Sequence, residues 1–269
     1  MKKLFVFIGL STLLASCSQG PVDRALKASD TRSEVSPLSG CTFTKTLLKT
    51  VETRPVYKDS GTGWVFFKAK MAVDADGSPR AYGPSNTGLD YTANAGHPGN
   101  WWGVVTDRSG NPVVQKSTDP YPGMYVSTTS LVDRRYVETN PLRFVNSETI
   151  PYIGLPNKRY SEWGIRTGDI ALVYNFTNGR YAYATFADVK NEDTIGEGSI
   201  VLNSMLGLNP DARRGGTSSA DIGYIVFPQS GAGQGVIPTP AAINAVGTAT
   251  TTASSCATDA VNQIIDTLR

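Results

Sequence analysis

The feature that most constrains this chain is a pair of apolar runs set around an Asn-Gly turn. Ile170–Tyr174 and Tyr181–Phe186 are rich in branched and aromatic residues, and Asn175-Phe176-Thr177-Asn178-Gly179-Arg180 lies between them. Asn and Gly both tolerate positive φ, so Asn178-Gly179 predicts a β-hairpin. Other runs read the same way. Trp64–Val73 carries long and branched residues without helical spacing, and Ile222–Phe227 has the make-up of a buried strand. Gly103–Thr106 and Pro112–Gln115 flank the polar turn Asp107–Asn111 and predict a second hairpin. Helical spacing is found in two places. Ile200, Leu202, Met205, Leu206 and Leu208 share one side of a helix expected over Ser199–Leu208, with Ser199 as its cap. Val261, Ile264, Ile265 and Leu268 predict a short amphipathic helix at the C-terminus. Residues 228–255, rich in Gly, Ala, Thr and Pro, read as an extended surface excursion. The expected fold class is mainly β with a few short helices.

The N-terminus reads Met1-Lys2-Lys3 followed by an apolar run from Leu4 to Leu14. A short positive region ahead of such a run marks a secretory signal, since the run is too short to span a bilayer. It ends Leu14-Ala15-Ser16-Cys17, which resembles a bacterial lipobox. The expectation is a lipoprotein signal peptide over 1–16 and acylation of Cys17. The polar, Ser-rich residues 17–40 then form a flexible tether, and 41–269 a single domain. This predicts an exported protein, lipid-anchored to the cell envelope at the outer membrane or cell surface. Loss of residues 1–16 removes Lys2 and Lys3 and leaves 23 basic and 23 acidic side chains. A neutral domain carries no electrostatic footprint for nucleic acid. Cys41 and Cys256 are the remaining cysteines. In an oxidising compartment an isolated pair predicts a disulfide rather than a metal site.

The residue inventory narrows the chemistry. The chain has one histidine, His97, in the small-residue loop Asn94–Gly99. Zinc needs several His or Cys ligands, and no P-loop or dinucleotide fingerprint occurs, so no metal or cofactor is expected. Carboxylates are the obvious acid/base groups, and glycoside hydrolysis uses two of them. Asp188 follows the apolar strand Tyr183–Ala187, and Glu197 sits between Gly196 and Gly198 ahead of the predicted helix. A helix N-terminus there would favour the Glu197 anion, and burial would raise a carboxyl pKa. An exposed acidic loop has the same pattern, and Glu192 and Asp193 compete with Glu197 for the second role.

Motifs in order along residues 64–229 resemble family 75 glycoside hydrolases, which are endo-acting chitosanases. Gly168–Asn175, Tyr183–Asp188 and Gly196-Glu197-Gly198-Ser199-Ile200 are similar to the catalytic segment of that family. Met71-Ala72-Val73-Asp74-Ala75-Asp76-Gly77, Asp90-Tyr91-Thr92, the Tyr125–Val132 run, Ile150-Pro151-Tyr152 and Asp221–Phe227 match further stretches. Gly198 replaces the family's alanine, and Ala187 its glycine. The resemblance implies hydrolysis of β-1,4 linkages between glucosamine units with inversion, Asp188 and Glu197 being the catalytic pair. Asp188 is then read as base and Glu197 as acid, with the reverse assignment open. Asp74 and Asp76 would line a groove for a cationic sugar, and Tyr91, Trp101 and Trp102 would stack on its rings. Their rival readings are a strand-capping turn or weak calcium site for the two acids, and core packing for the aromatics.

Asn178-Gly179-Arg180, Asp188, the helix after Ser199 and the Asp221–Phe227 strand also look like a double-psi β-barrel. Such barrels occur in peptidoglycan enzymes too, and fold does not fix function. The alternative expectation is therefore a peptidoglycan-cleaving or peptidoglycan-binding barrel lipoprotein without chitosanase activity. A non-catalytic carbohydrate-binding lipoprotein is the third. The partners expected are a polysaccharide and, through Cys17, a membrane.

Overall fold

The Asn178-Gly179 turn forms as the sequence predicts, and the barrel grows out from it. The computed structural model describes residues 41–157, 159–190 and 193–269. The proposed signal peptide, Cys17, the tether and Glu192 lie outside the described residues. The strands are β1 (Lys45–Val51), β2 (Arg54–Asp59), β3 (Val65–Asp74), β4 (Gly96–His97), β5 (Asn100–Trp101), β6 (Tyr152–Pro156), β7 (Ile170–Asn175), β8 (Tyr181–Lys190), β9 (Glu197–Ser199) and β10 (Thr217–Phe227). The α-helices are α1 (Arg159–Glu162), α2 (Ile200–Met205), α3 (Pro240–Thr252) and α4 (Ser255–Leu268).

Six strands close into a barrel in the order β3-β10-β7-β8-β6-β9, with β9 returning to β3. The β6–β8 and β3–β9 pairs are parallel, and the other four are antiparallel. Closure leaves no free edge on this ring. The ten-residue β3 makes it possible. Its first half pairs with β2 at Val65–Phe67, and its second half takes β9 at Ala72–Asp74. The β1–β2 hairpin is thus an annex, and the barrel ring runs past it.

Strand alternation fills the interior. Val65, Phe67, Ala69 and Met71 of β3 meet Ile222, Tyr224 and Val226 of β10 in one buried cluster. Ala171 and Val173 of β7, Ala182, Ala184 and Phe186 of β8, and Ile153 and Leu155 of β6 complete it. The rings of Phe67 and Tyr224 stack at 4.8 Å within this cluster. Each fully buried large side chain contributes about 1.5–3 kcal/mol. The mainly β, barrel-centred architecture expected from the sequence is therefore observed.

Three elements differ from expectation. The hairpin predicted around Asp107–Asn111 forms, held by single bridges such as Thr106↔Pro112 rather than by strands. The helix after Ser199 stops at Met205, two residues before Gly207 at φ 71°. Ser199 caps it as predicted, its hydroxyl accepting from Leu202 N. Nearly half of the segment 228–255, expected as an extended excursion, is instead the helix α3. Thr239 caps it by accepting from Ala242 N, and Pro240 sits in its first turn. A Thr-Pro start and an alanine-rich run are good helix material, although their composition looks like loop. Gly247 lets α3 lie against β8, because a Cβ there would come within 2.2 Å of the Tyr183 ring. The Tyr183 hydroxyl lies 2.6 Å from Thr251 Oγ1 on the same helix.

Cys41 and Cys256 form a disulfide, with Cα atoms 5.2 Å apart across 215 residues of sequence. It ties the start of the described chain to α4, whose Ala260, Val261, Ile264, Ile265 and Leu268 are buried.

Candidate active site

Strand register decides which acids meet. β6 lies between β8 and β9, and its Gly154 pairs with Asp188 on one side and Glu197 on the other. The two acids are thus two strand spacings apart, about 9–10 Å between backbones. Between them stands a residue without a side chain. The pairing slips by one residue between Ile153 and Gly154, a bulge on β8 at Ala187. Bulges redirect the side chain that follows them. Here Ala187 is buried with Leu131, Val145 and Tyr152, and Asp188 reaches the cavity floor.

Ser130 fixes Asp188 there. Its N–H and hydroxyl donate to Asp188 Oδ1 at 3.0 and 3.2 Å, while the hydroxyl accepts from Val189 N at 2.9 Å. Asp74 ends β3, and its Oδ1 accepts from Asp76 N at 2.8 Å in a tight turn. Gly77 follows at φ 75°, where a Cβ would meet Val145 O at 2.1 Å. Tyr82 donates its hydroxyl to Asp76 Oδ1 at 2.6 Å, and Tyr152 donates to the Asp76 carbonyl at 2.9 Å. The strand-capping turn considered for Asp74 and Asp76 is real, yet it also delivers both acids to the site. Carboxylate oxygens of Asp74, Asp76 and Asp188 all lie within 4.8 Å of one another.

The cation among them is Lys190, a residue absent from the sequence-level site. It stands two positions after Asp188 on β8, so the two share a face. Its Nζ lies 2.9 Å from Glu197 Oε2, 3.3 Å from Asp74 Oδ2 and 3.6 Å from Asp188 Oδ2. Asp74 Oδ2 is buried and makes no hydrogen bond, so the Lys190 contact is its one compensation among the described residues. Asp74, Asp76 and Asp188 could chelate a cation, but the ammonium already stands against two of them.

Burial sets the protonation pattern. It pushes the Glu197 carboxyl up to about 7, with Asp74 adding to the rise and Lys190 opposing it. It pushes Asp188 up to about 6, against the pull of Lys190 and the Ser130 hydrogen bonds. Asp76 is driven well above the usual carboxylate range by burial and by Asp74. Burial would depress Lys190, but the surrounding carboxylates, led by Asp74 and Glu197, hold it well above its ordinary value. The helix N-terminus expected to favour the Glu197 anion is outweighed. Glu197 opens β9, three residues before α2, and desolvation dominates.

These groups face a cavity of about 910 Å³ lined by Asp188, Glu197, Lys190, Asp76, Asn94 and Trp102 among others. Asp188 is 7% exposed, and the Glu197 side chain 25%, so both reach it from largely buried positions. Of the three aromatics singled out, only Trp102 lines the cavity. Its indole N–H donates to Asn94 O at 2.9 Å, and the Asn94 side chain donates to both Asp90 oxygens. Trp101 packs edge-on to Tyr125, and Tyr91 lies beneath the Arg213 guanidinium. Trp101 is thus partly buried, whereas Tyr91 stays 44% exposed, and neither lines this cavity. His97 is exposed, next to Trp102 and outside the lining. Asp193 is paired with Arg159 at 3.0 Å and does not line the cavity.

Besides Lys190, Ser130 and Gly154 were not legible as site residues. Only the spacing of Lys190 from Asp188 along a strand offered a signal. The comparisons with known proteins attach no family name to this arrangement: no family model matches the chain, and no curated protein matches it.

Proposed function

We propose that this chain is an endo-acting glycoside hydrolase of the chitosanase type that cleaves β-1,4 linkages between glucosamine units with inversion. The observation that carries the reading is Asp188 and Glu197 flanking Gly154 at the floor of one cavity. In this reading Glu197, which keeps a proton to about pH 7, protonates the leaving oxygen. Asp188, with two donors from Ser130 supporting its anion, takes a proton from the attacking water. Inverting pairs leave about 6.5–9.5 Å for that water. Lys190 touches both acids, so Asp188 Oδ2 and Glu197 Oε2 lie no farther apart than its two contacts end to end. That ceiling coincides with the lower end of the inverting range, so these two oxygens stand at or inside it while Lys190 bridges them, and the reading requires the acids to part when sugar and water enter. Asp74 and Asp76 add negative charge that suits a cationic sugar, and Trp102 offers an exposed ring for stacking. The sequence resemblance to family 75 supports the same assignment.

Export and lipid anchoring at Cys17 belong to the proposal. They rest on the signal-like residues 1–16 and on the Cys41–Cys256 bond, which suits an oxidising compartment. The anchor would hold the enzyme at the cell envelope, near polysaccharide.

Reducing-end release from chitosan tests the reading. Wild type should release ends, and Asp188→Asn and Glu197→Gln should both abolish release while staying folded. NMR of the first-formed anomer reports inversion. Release from cell-wall glycan and none from chitosan would replace this reading with the peptidoglycan one. Binding without cleavage would leave a carbohydrate-binding lipoprotein.

A further inference from the structure

The reaction as proposed uses two carboxyls and leaves Lys190 without a role, yet Lys190 is the most heavily contacted ion of the site. Its Nζ bridges acids from three strands: Asp74 on β3, Asp188 on β8 and Glu197 on β9. The stem passes over β6. A Cβ on Gly154 would stand 3.3 Å from Lys190 Cε and 3.4 Å from Glu197 Oε2, so the bare glycine is the slot in which the lysine lies. The ammonium therefore sits in the gap between the two acids proposed to react.

Resting on the hydrolase reading above, we propose that Lys190 is a positioning residue. Its ammonium, clamped between Asp74, Asp188 and Glu197, holds the reacting carboxyls at their separation and fixes the pH range in which one is ionised while the other carries a proton.

The argument is charge balance in a confined space. Four carboxyls, Asp74, Asp76, Asp188 and Glu197, meet one ammonium. Like charges this close force protons onto one another, and the group then titrates as a unit. The other ionisable neighbours do not replace the lysine. Tyr82 and Tyr152 touch Asp76 through neutral hydroxyls. Asp90 lies beyond Asp74 and adds negative charge, and the Tyr224 hydroxyl is bonded to Lys70 O. Lys70 and Glu52 line the same cavity with opposite signs. Arg213, on the far side, is engaged with Tyr91 and the carbonyls of Asn86 and Gly88. Without Lys190 both Asp188 and Glu197 would hold their protons to higher pH, so the range in which Asp188 is ionised would move upward.

The test compares Lys190→Met and Lys190→Arg with wild type by two readouts. In the pH profile of kcat/KM on chitosan, Lys190→Met should move the acid limb up by about one pH unit or more, a tenfold change in proton affinity. Lys190→Arg should keep the limb near its wild-type position. A purely structural lysine would lower kcat/KM equally at all pH and leave the limb in place, which overturns the proposal. The second readout needs no substrate. Carboxyls with folded pKa values raised above their unfolded ones contribute stability at low pH that is lost as pH rises through the folded values. The melting temperature of Lys190→Met should thus fall more steeply between pH 5 and 8 than that of wild type or Lys190→Arg. A wild-type slope, or a Lys190→Met chain unfolded at both pH 5 and pH 8, overturns the proposal. A wild-type chain that leaves chitosan intact sinks the hydrolase reading alone, since the melting slopes still decide whether the clamp exists.

Discussion

Two of the corners where this molecule buries carboxylates do so in opposite ways. At the end of β2, Asp59 is surrounded by donors. Its oxygens accept from Thr44 N, Gly61 N, Thr62 N and the Thr62 hydroxyl at 2.7–3.2 Å. Burial pushes that carboxyl up, but the Thr62 hydroxyl and the three amides pull it below its ordinary value. The Cys41–Cys256 bond lines the same small pocket and pins the corner. At the cavity floor the ratio reverses. Four acids share one ammonium and a few hydroxyls, Asp74 Oδ2 finds no hydrogen bond, and Asp188 and Glu197 are pushed up. A buried acid with a full set of donors holds structure together. A buried acid left short of donors is poised to trade a proton, and such shortfalls mark functional sites.

That contrast can be broken by substitution. The largest effects should come from the floor. On the proposed reading Asp188→Asn and Glu197→Gln each remove a general acid or base, so turnover on chitosan should fall by about 10²–10⁴-fold with the circular dichroism spectrum retained. The same measurement on Asp59→Asn should stay within about twofold of wild type. Next comes the corner. Replacing both Cys41 and Cys256 by Ser should cost about 2–5 kcal/mol in denaturant unfolding while leaving kcat/KM on the surviving folded protein unchanged.

Asp59→Asn itself should cost about 1–3 kcal/mol, since donors arranged for an anion lose part of their partner. The pH dependence of stability should divide the two corners as well. The contribution of Asp59, whose folded value is lowered, is present above the unfolded carboxyl value near 4 and is lost as pH falls through the folded one. Asp188 and Glu197, raised to about 6 and about 7, contribute stability below pH 4 that is lost as pH rises through 6 and 7. The unfolding free energy of Glu197→Gln, read from denaturant titrations, should therefore decline less between pH 5 and 8 than that of wild type, by an amount on the order of 1 kcal/mol. The smallest effect is expected from Gly154→Ala. A methyl 3.3 Å from Lys190 Cε asks the lysine to shift by a few tenths of an ångström, and a turnover loss of no more than about tenfold should accompany unchanged melting.

The barrel was legible where one local pattern sufficed. Asn178-Gly179 between two apolar runs could only be a hairpin, and both strands formed around it. The β9 strand was not legible, because three residues carry no period. Neither was α3, whose Ala, Thr and Gly read as loop until Gly247 is seen against Tyr183. At the site, Asp188 and Glu197 stood out because they flank a strand end and a pair of glycines. Gly154 did not, since its meaning is a register fact that no single strand contains. Lys190 did not stand out because the apolar run stops ahead of Asp188, whereas β8 continues to Lys190. Tyr91 and Trp101 could not be told from Trp102 by residue type, as all three are large aromatics and only their neighbours separate them.

The cross-link between residues 41 and 256 also turns nearly the whole domain into one covalent ring. A protease that nicks any surface loop between those positions opens the ring once and frees no fragment. Two cuts, or one cut followed by reduction, are needed before a piece can leave. The long irregular stretch between β3 and β6 can therefore be clipped without shedding the half that carries the cavity.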